Sequence, residues 1–343
     1  MLPRPIANPP NPWASAAVDY LGEPPPARPQ VFEDASRTIL SENDSPDLGF
    51  RFSVNPYRGC AHACAYCYAR PSHEQLGFGA GTDFDTRIVV KPHAPELLAE
   101  AFERRSWTGE LVMFSGVTDC YQPLEASYRL TRRCLEVCAD YRNPASVITK
   151  APLIERDLEV LTRLAAVAKL RVMISIPIWD RERARAIEPW VATPERRVRT
   201  IARLADAGVP VGVMVAPMIP GLGDEDLVRV LEAARAAGAK FAAWGLLRLP
   251  GSVAQVFEER VRQELPLRAE RILARVRDTR GGRTNDSRFG VRFRGEGEYV
   301  DTIARLFETT CRRLGFDDQH EQRDEQHSSF RRPDKGGQLR LFE

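Results

Sequence analysis

Between residues 111 and 247 the chain alternates short apolar runs with longer stretches of helical periodicity. The runs are rich in β-branched residues and stay apolar throughout, which is typical of strands covered on both faces. The predicted strands are Leu111–Phe114, Ser146–Thr149, Leu170–Ile176, Val209–Ala216 and Phe241–Leu247. The predicted helices between and after them are Ser127–Tyr141, Ile154–Ala168, Arg181–Ile187, Pro194–Ala207 and Asp224–Ala237.

A further strand just before Cys60 brings the pattern to six β/α units. Repeated strand–helix–strand units build a parallel sheet, and six units fall short of the eight in a full barrel. The predicted fold class is therefore α/β, with a partial (β/α)6 barrel as its architecture. A doubly wound open sheet is the structural alternative.

The two ends of the chain depart from this central pattern. Residues 1–47 are rich in proline and are predicted to be largely extended or disordered, because proline cannot donate to a helix or a sheet ladder. The barrel is predicted over residues 48–250 and a mostly helical, Arg-rich extension over 251–316. Residues 317–343 are polar and charged and are predicted to form a flexible tail.

Composition excludes several classes of protein. The 343 residues are 43% hydrophobic, enough for a substantial core, and the net charge of +2 by itself says little about partners. No apolar run approaches the roughly 18 residues of a membrane span, and the N-terminus lacks the apolar region of a signal peptide. The seven cysteines are an odd count that does not suggest a disulfide framework, so we expect a protein of the reducing cytoplasm.

Cys60, Cys64 and Cys67 stand at the spacing C-x3-C-x2-C. Iron–sulfur clusters are normally held by four cysteines, so three thiolates would leave one iron open, which is what a catalytic metal site needs. Two alternatives remain at this point: a zinc site with His62 or His73 as the fourth ligand, or ordinary thiols. The remaining cysteines at 134, 138 and 311 are interpreted as buried core thiols.

The cysteine spacing, with Tyr68 directly after the last cysteine, resembles the motif of the radical SAM superfamily. The resemblance implies a [4Fe–4S] cluster on Cys60, Cys64 and Cys67, whose open iron chelates S-adenosylmethionine. One electron from the cluster then releases a 5′-deoxyadenosyl radical. The family core is a partial (β/α)6 barrel, and its chemistry implies an electron donor such as flavodoxin or ferredoxin.

Barrels of this kind carry their chemistry at the carboxyl ends of the strands. In the family, the turn after the second strand receives the amino group of the cofactor, which here implicates Ser115, Gly116 and Thr118. Lys150, after the third strand, matches a lysine that contacts the cofactor carboxylate in related proteins. Considered without the resemblance, these residues would be a plain turn and a solvated lysine.

The later strand ends continue the resemblance. Ser175 matches a polar residue near the ribose or methionine of the cofactor, and Ile219 matches an apolar residue that packs on the adenine. Residues 245–248 would complete the adenine side. Arg197 matches an arginine of the relatives, although a structural ion pair would explain it equally well.

Within the superfamily the chain is most similar to the branch that includes spore photoproduct lyase, over roughly residues 50–250. Tyr66 and Tyr68 match tyrosines linked there to hydrogen transfer, and packing beside the cluster is their alternative role. The hydrogen-donating cysteine of that enzyme aligns with Val117 here. Cys120 could replace it only if the loop is shifted, so repair of the spore type of thymine dimer is not indicated and the substrate is unassigned.

Two segments suggest partners. Residues 253–294 contain eleven Arg against six Asp or Glu and could contact the phosphates of a nucleic acid. Arg–Glu ion pairing on a helix face is an equally good explanation. The C-terminal Gln338-Leu-Arg-Leu-Phe342 resembles the peptide by which bacterial repair proteins bind the sliding clamp, with Gln338 and Leu339 leading to the anchors Leu341 and Phe342. Those apolar residues could instead fold back onto the domain.

Three functions therefore compete. The first is a radical SAM enzyme acting on nucleic acid or a nucleotide component. The second is a radical SAM enzyme acting on a protein or a small metabolite. The third is a non-enzymatic iron–sulfur or zinc protein that binds nucleic acid through its basic segment.

Overall fold

The computed structural model describes residues 4–6, 30–317 and 328–333. The strands within these ranges, in chain order, are β1 Arg4–Ile6, β2 Gln30–Glu33, β3 Leu40–Glu42, β4 Phe52–Val54, β5 Tyr57–Arg58, β6 Arg87–Val90, β7 Val112–Phe114, β8 Ala145–Thr149, β9 Leu170–Ser175, β10 Val211–Met218 and β11 Phe241–Leu246. The helices are α1 Pro71–Glu74, α2 Thr82–Thr86, α3 Ala94–Glu103, α4 Glu125–Tyr128, α5 Leu130–Asp140, α6 Leu158–Val167, α7 Arg181–Ile187, α8 Pro194–Asp206, α9 Leu227–Ala236, α10 Val253–Glu264, α11 Ala269–Asp278 and α12 Glu298–Leu314. Two 3₁₀ turns, Pro152–Asp157 and Asp224–Asp226, precede α6 and α9.

The main sheet has seven strands in the order β11-β10-β9-β8-β7-β4-β3. Six of them run parallel, and β3 pairs antiparallel with β4 at one edge. The parallel strands follow one another in chain order, so the sheet has no point where the strand order reverses. A doubly wound sheet requires such a reversal, and the α/β partial-barrel prediction is therefore confirmed.

The apolar core lies between the parallel strands and the helices that follow them. Val147, Val172 and Val213 stand on adjacent strands, are fully buried, and belong to the same apolar cluster. Leu161 of α6 and Leu231 of α9 close this cluster from the helical side. Strands covered on both faces explain why the sequence shows continuous apolar runs there.

The predicted helix Ser127–Tyr141 is interrupted. Arg129 adopts a left-handed conformation with φ of 53°, which separates α4 from α5. The buried carboxylate of Glu125 accepts hydrogen bonds from the backbone N–H groups of Thr131 at 2.9 Å and Arg132 at 3.1 Å. It thereby satisfies donors that the first turn of a helix leaves free, so the new helix begins there. The predicted helix at 154–168 likewise begins as the 3₁₀ turn and becomes α-helical only at Leu158.

A second, smaller sheet has the strand order β1-β2-β6-β5 and was not predicted. Its strands are two to four residues long, too short to produce a recognisable alternation. The strand β6 pairs with Tyr57 and Arg58 of β5, which lie directly before the cysteine motif. This sheet therefore supports the segment from which the cysteine loop departs.

The predicted helical C-terminal extension is present as α10, α11 and α12. Residues 328–333, inside the predicted tail, pack on the barrel: Phe330 lies edge-on to Phe102 and stacks with Tyr141. The remaining predictions for residues 1–3, 7–29, 318–327 and 334–343 lie outside the described residues. None of the helices in the described ranges is long and apolar enough to cross a membrane.

A substitution at Gly212 tests how closely β10 packs against β11. A Cβ at this position would lie 2.4 Å from the carbonyl oxygen of Phe241 and 2.2 Å from its ring. Because the backbone of the neighbouring strand cannot move aside cheaply, we expect Gly212→Ala to destabilise the protein by about 1–3 kcal/mol or more. The measurement is chemical denaturation followed by circular dichroism.

Gly49→Ala is the matched control, since a Cβ there would meet nothing within 4 Å. Equal unfolding midpoints for the two variants would contradict the packing of these strands.

Candidate active site

The cysteine loop lies between β5 and α1 and is held by backbone hydrogen bonds to distant segments. The N–H of Cys60 donates to the carbonyl of Phe84 at 2.9 Å, and that of Ala65 donates to Ile187 at 3.0 Å. Arg70 is fully buried and donates to the carbonyl oxygens of Cys64 at 2.9 Å and Ala80 at 2.8 Å. Because these hydrogen bonds fix the loop, its three thiols are already in place for a ligand.

The three thiols differ in their electrostatic surroundings. Cys60 and Cys64 are buried and Cys67 is partly exposed. Burial raises the pKa of Cys64 well above its ordinary value and that of Cys67 to about 11. Burial also opposes ionisation of Cys60, but the neighbouring His62 outweighs it and lowers the pKa of that thiol. Three thiolates in this loop therefore require a cationic group among them, and the donor set fits an iron–sulfur cluster.

Asp119 joins the cysteine loop to two strand ends. Its carboxylate lies 3.4 Å from Nδ1 of His62 and accepts hydrogen bonds from the Thr149 hydroxyl at 2.6 Å and the Lys150 N–H at 2.8 Å. Burial by itself would lower the pKa of His62, but Cys60 and Asp119 outweigh it and raise that pKa to about 10. Asp119 was not singled out from the sequence, where it is one more polar residue of a loop.

Of the two histidines considered as zinc ligands, only His73 is engaged away from the thiols. His62 faces Cys60 and Asp119. His73 bonds the carbonyl of Arg87 through Nε2 at 2.8 Å and packs between the rings of Phe78 and Phe84. Among the described residues, no group of three or more His, Cys, Asp or Glu side chains forms a site for a single metal ion.

The turn after β7 is in contact with the cysteine loop. The hydroxyl of Tyr68 donates to the carbonyl of Gly116 at 2.6 Å, and that of Thr118 donates to the carbonyl of Gly59 at 2.7 Å. Ser115 has φ of 80° and accepts from the N–H of Cys120 at 3.0 Å through its side-chain oxygen. The structure therefore places Ser115, Gly116 and Thr118 beside the loop, with the Thr118 hydroxyl already bonded.

Four predicted residues meet around the buried carboxylate of Glu188. Tyr66 donates its hydroxyl to one oxygen of Glu188, and Arg197 forms an ion pair with the other. Arg197 also donates to the carbonyl of Ser175 at 3.0 Å, and the Lys150 ammonium lies 5.7 Å from the centre of the Tyr66 ring.

The electrostatics of this group follow from its burial. Burial opposes ionisation of Glu188, but Arg197 and Lys150 outweigh it and lower the pKa of the carboxyl. Glu188 thus keeps a negative charge in the interior and fixes Tyr66. It was missed as a site residue because Tyr66, which it fixes, lies 122 residues away in sequence.

The apolar side of the site lies at the ends of β10 and β11. Ile219 is fully buried and shares an apolar cluster with Leu222, Leu247, Cys64 and Tyr66. The Ser175 hydroxyl donates to the carbonyl of Ala216 at 2.8 Å, just before these residues. The residue predicted to meet the adenine thus lies within the cluster that also lines the cysteine loop.

Cys120 and Val117, the two positions considered for a hydrogen-donating residue, have different surroundings. Cys120 is 0% exposed, and its backbone carbonyl accepts a hydrogen bond from the Thr131 hydroxyl at 2.6 Å. Val117 is partly buried and packs on the cluster that contains Cys60 and Cys67. Val117 therefore stands where a residue could face the thiols, and a catalytic role for Cys120 stays a prediction that would need the loop to open.

Parallel strands with three thiols at their carboxyl edge define an α/β barrel protein whose candidate site lies where such barrels carry their chemistry. A family model, described as the Radical SAM superfamily, matches residues 54–234. Because this match covers more than half of the chain, the protein belongs to the radical SAM superfamily. Enzymes of this family use a [4Fe–4S] cluster and S-adenosylmethionine.

Two curated relatives have no established function. An uncharacterized protein of Mycobacterium tuberculosis is 41% identical over 194 residues, which are 56% of this chain and 57% of the relative. An uncharacterized protein of Methanocaldococcus jannaschii is 29% identical over 180 residues, 52% of this chain and 65% of the relative. The matches thus span less than two thirds of these relatives.

Solved structures share the fold. Spore photoproduct lyase complexed with dinucleoside spore photoproduct has a TM-score of 0.59 and 17% sequence identity, and the match covers 83% of this chain and 78% of the lyase. A mutant of the same lyase with bound AdoMet and dinucleoside spore photoproduct has a TM-score of 0.60 at 17% identity. At this identity the likeness establishes the fold alone.

The buried pair of Arg197 and Glu188 gives a stability prediction. Arg197→Ala leaves the Glu188 charge without its main partner, which we expect to cost about 3–5 kcal/mol of unfolding free energy. Arg163→Ala removes a pair whose two members are half exposed, and we expect a loss of at most about 1 kcal/mol. Chemical denaturation of both variants gives the comparison.

The double variant Glu188→Gln/Arg197→Met removes both charges and should recover part of the loss. If Arg197→Ala were no more costly than Arg163→Ala, Glu188 would not be charged in the folded protein.

Proposed function

We propose that Cys60, Cys64 and Cys67 bind a [4Fe–4S] cluster with which this protein reductively cleaves S-adenosylmethionine to act on a nucleic acid or a nucleotide component. The observation that carries the proposal is the cysteine loop, whose three thiols are fixed at the carboxyl edge of a parallel barrel. Membership of the radical SAM superfamily supports it.

When bound, a reduced cluster supplies one electron that breaks the bond between the sulfonium sulfur and C5′, giving methionine and the 5′-deoxyadenosyl radical. The electron is expected from a small donor protein such as flavodoxin or ferredoxin. The protein itself has to position the cofactor and exclude water.

Named residues are suited to these tasks. Lys150 offers an ammonium group for the cofactor carboxylate. The backbone of the turn at Ser115 and Gly116, with Thr118 beside it, is the candidate for the amino group. Ser175 and Arg197 support the ribose and methionine side; the Arg197 guanidinium is already bonded to protein groups and acts there by positioning others.

The adenine and hydrogen-transfer roles are assigned as follows. Of residues 245–248, Leu247 joins Ile219 in the apolar cluster that would accept the adenine, whereas the Arg248 guanidinium lies over the ring of Phe293 instead. Tyr66 is fixed by Glu188, whereas Tyr68 is half exposed and bonded only through its hydroxyl to Gly116. We therefore assign hydrogen transfer to Tyr68 rather than to Tyr66. Cys120 is the alternative hydrogen donor.

The substrate class is supported by the basic segment 253–294. Several of its helical arginines are ion-paired: Arg262 with Glu258 and Glu270, and Arg268 and Arg271 with Glu225. These pairs favour a structural role for the helical arginines. The loop after α11 carries five more arginines, at 280, 283, 288, 292 and 294, and of these Arg283 and Arg288 pair with Asp286 and Arg292 pairs with Asp47. The nucleic-acid proposal therefore rests on the net charge of the segment, with eleven Arg against six Asp or Glu.

We also propose that Gln338, Leu339, Leu341 and Phe342 bind the sliding clamp, which would bring a cytoplasmic enzyme to replicating DNA. The support is the sequence motif, and these residues lie outside the described ranges.

The cluster is tested by anaerobic reconstitution, reduction and electron paramagnetic resonance with and without S-adenosylmethionine. We expect a four-iron signal that changes when the cofactor is added, because the cofactor binds at the open iron. Ala replacements of Cys60, Cys64 or Cys67 should lose bound iron and sulfide, whereas Cys311→Ala should retain them. A signal indifferent to the cofactor would refute the proposed chemistry.

The clamp contact is tested by deleting residues 338–343. We expect the binding of purified sliding clamp, measured by surface plasmon resonance, to fall below detection, since both anchors are removed. The cluster signal of the truncated protein is the control. Unchanged affinity would dispose of the clamp contact and leave the enzymatic proposal intact.

A further inference from the structure

Arg248 stands at the carboxyl end of the last parallel strand, β11, on the rim next to the cysteine loop. The preceding Leu247 donates its N–H to the carbonyl of Met218 at 3.0 Å, which fixes the backbone there. A Cβ on Gly251 would lie 3.8 Å from the ring of Pro71, directly after the cysteine motif. The Arg248 cation is also near enough to Tyr68 to oppose the rise that burial causes in the pKa of that phenol.

Arg248 is half buried, yet it forms no ion pair in the described part of the chain; the charge of Asp47 acts on it, but that carboxylate is paired with Arg292. Its Nε is buried and makes no hydrogen bond, and its guanidinium lies over the ring of Phe293 at 4.7 Å. The neighbouring arginines bond through their other nitrogens, although the Nε of Arg280 is also buried without a hydrogen bond. Arg292 is paired with Asp47 at 2.6 Å, and Arg280 donates to the carbonyl oxygens of Leu247 at 2.6 Å and Val291 at 3.0 Å.

An unpaired cation in this position is costly. Burial and the like charge of Arg292 lower the pKa of Arg248 by more than Tyr68 and Asp47 raise it, so its surroundings disfavour the charge. Groups whose surroundings disfavour their charge are typical of sites that receive a ligand. The missing partner is an anion that approaches from the rim.

An exposed aromatic ring accompanies this cation. Phe289 is 58% exposed and lies on the loop between α11 and α12, with the guanidinium of Arg292 4.6 Å from its ring centre. The N–H of Gly290 donates to Asp47 at 2.7 Å, and Phe293 accepts a hydrogen bond from Leu246 through its carbonyl at 2.8 Å. Both contacts lie directly after Phe289 in the chain, so the loop is held next to β11 immediately beyond the exposed ring.

Proteins that hold single-stranded nucleic acid combine cations for the phosphates with aromatic rings on which the bases stack. We infer that Arg248 binds a phosphate group of a nucleotide substrate and that Phe289 stacks on one of its bases. This inference deepens the proposed function, on which it rests, by locating the substrate on the rim formed by β11 and the loop after α11. A free carboxylate would satisfy Arg248 but would leave Phe289 unexplained.

The test measures binding to the full-length reconstituted protein by fluorescence anisotropy. The probes are a labelled single-stranded dodecathymidylate and, in competition, thymidine monophosphate. We expect Arg248→Ala to weaken dodecathymidylate binding about tenfold and to reduce the slope of log affinity against log salt by about 0.7, the value for one phosphate contact on a single strand. Phe289→Ala should also cost about tenfold with no change in that slope.

Arg163→Ala is the matched control, because it removes an exposed arginine of α6 and should leave both affinity and slope unchanged. Competition by thymidine monophosphate would identify a single nucleotide as the unit recognised, and its failure to compete would indicate a strand. Either result supports the inference when Arg248→Ala weakens the binding of the probe and lowers the salt slope as expected.

A separate readout distinguishes this inference from the function on which it rests. Formation of 5′-deoxyadenosine without substrate reports cluster and cofactor chemistry and should persist in Arg248→Ala and Phe289→Ala. If it persists but the two variants bind both probes as the unaltered protein does, the substrate site is wrong and the radical chemistry stands. If the unaltered protein binds neither probe, the inference is overturned.

Discussion

The carboxylate of Asp119 is the interaction on which the arrangement of the site depends. It accepts hydrogen bonds from Thr149 and Lys150 at the end of β8 and faces His62 inside the cysteine loop. Burial disfavours its ionisation, but His62 and the hydrogen bonds outweigh that cost and lower its pKa to about 2. One ionised side chain therefore fixes the cysteine loop relative to the strand ends that would hold the cofactor.

Glu188 has a similar role on the other side of the loop. A buried ion pair is weak support for stability, because desolvation offsets most of the Coulomb attraction. The ion pair of Glu188 and Arg197 matters here because it positions other residues. Glu188 holds Tyr66, which lies between two of the cysteines. Arg197 holds Glu188 and also donates to the carbonyl of Ser175. Asp119 and Glu188 thus connect the cysteine loop to the ends of β8 and β9.

The parallel strands and the cysteine loop could be predicted from the sequence, because each is encoded by residues that are close together in the chain. Continuous apolar runs report burial on two faces, and the cysteine spacing lies within eight residues. The connections of the site could not be predicted in this way, since Glu188 lies 122 residues from Tyr66. The break at Arg129 escaped prediction for a related reason: helical periodicity continues through it, and only the tertiary position of Glu125 explains it.

The distribution of cations along the carboxyl edge separates cofactor from substrate. Lys150 follows β8 and Arg248 follows β11, and β9 and β10 lie between those strands in the sheet. Lys150 is assigned to the carboxylate of the cofactor, which leaves the Arg248 cation for a different anionic group. Tyr68 extends from the cysteine loop near Arg248 and contacts Gly116 after β7, so it is adjacent to both regions. A hydrogen atom transferred between cofactor and substrate would pass this side chain, and we assign hydrogen transfer to Tyr68 for that reason.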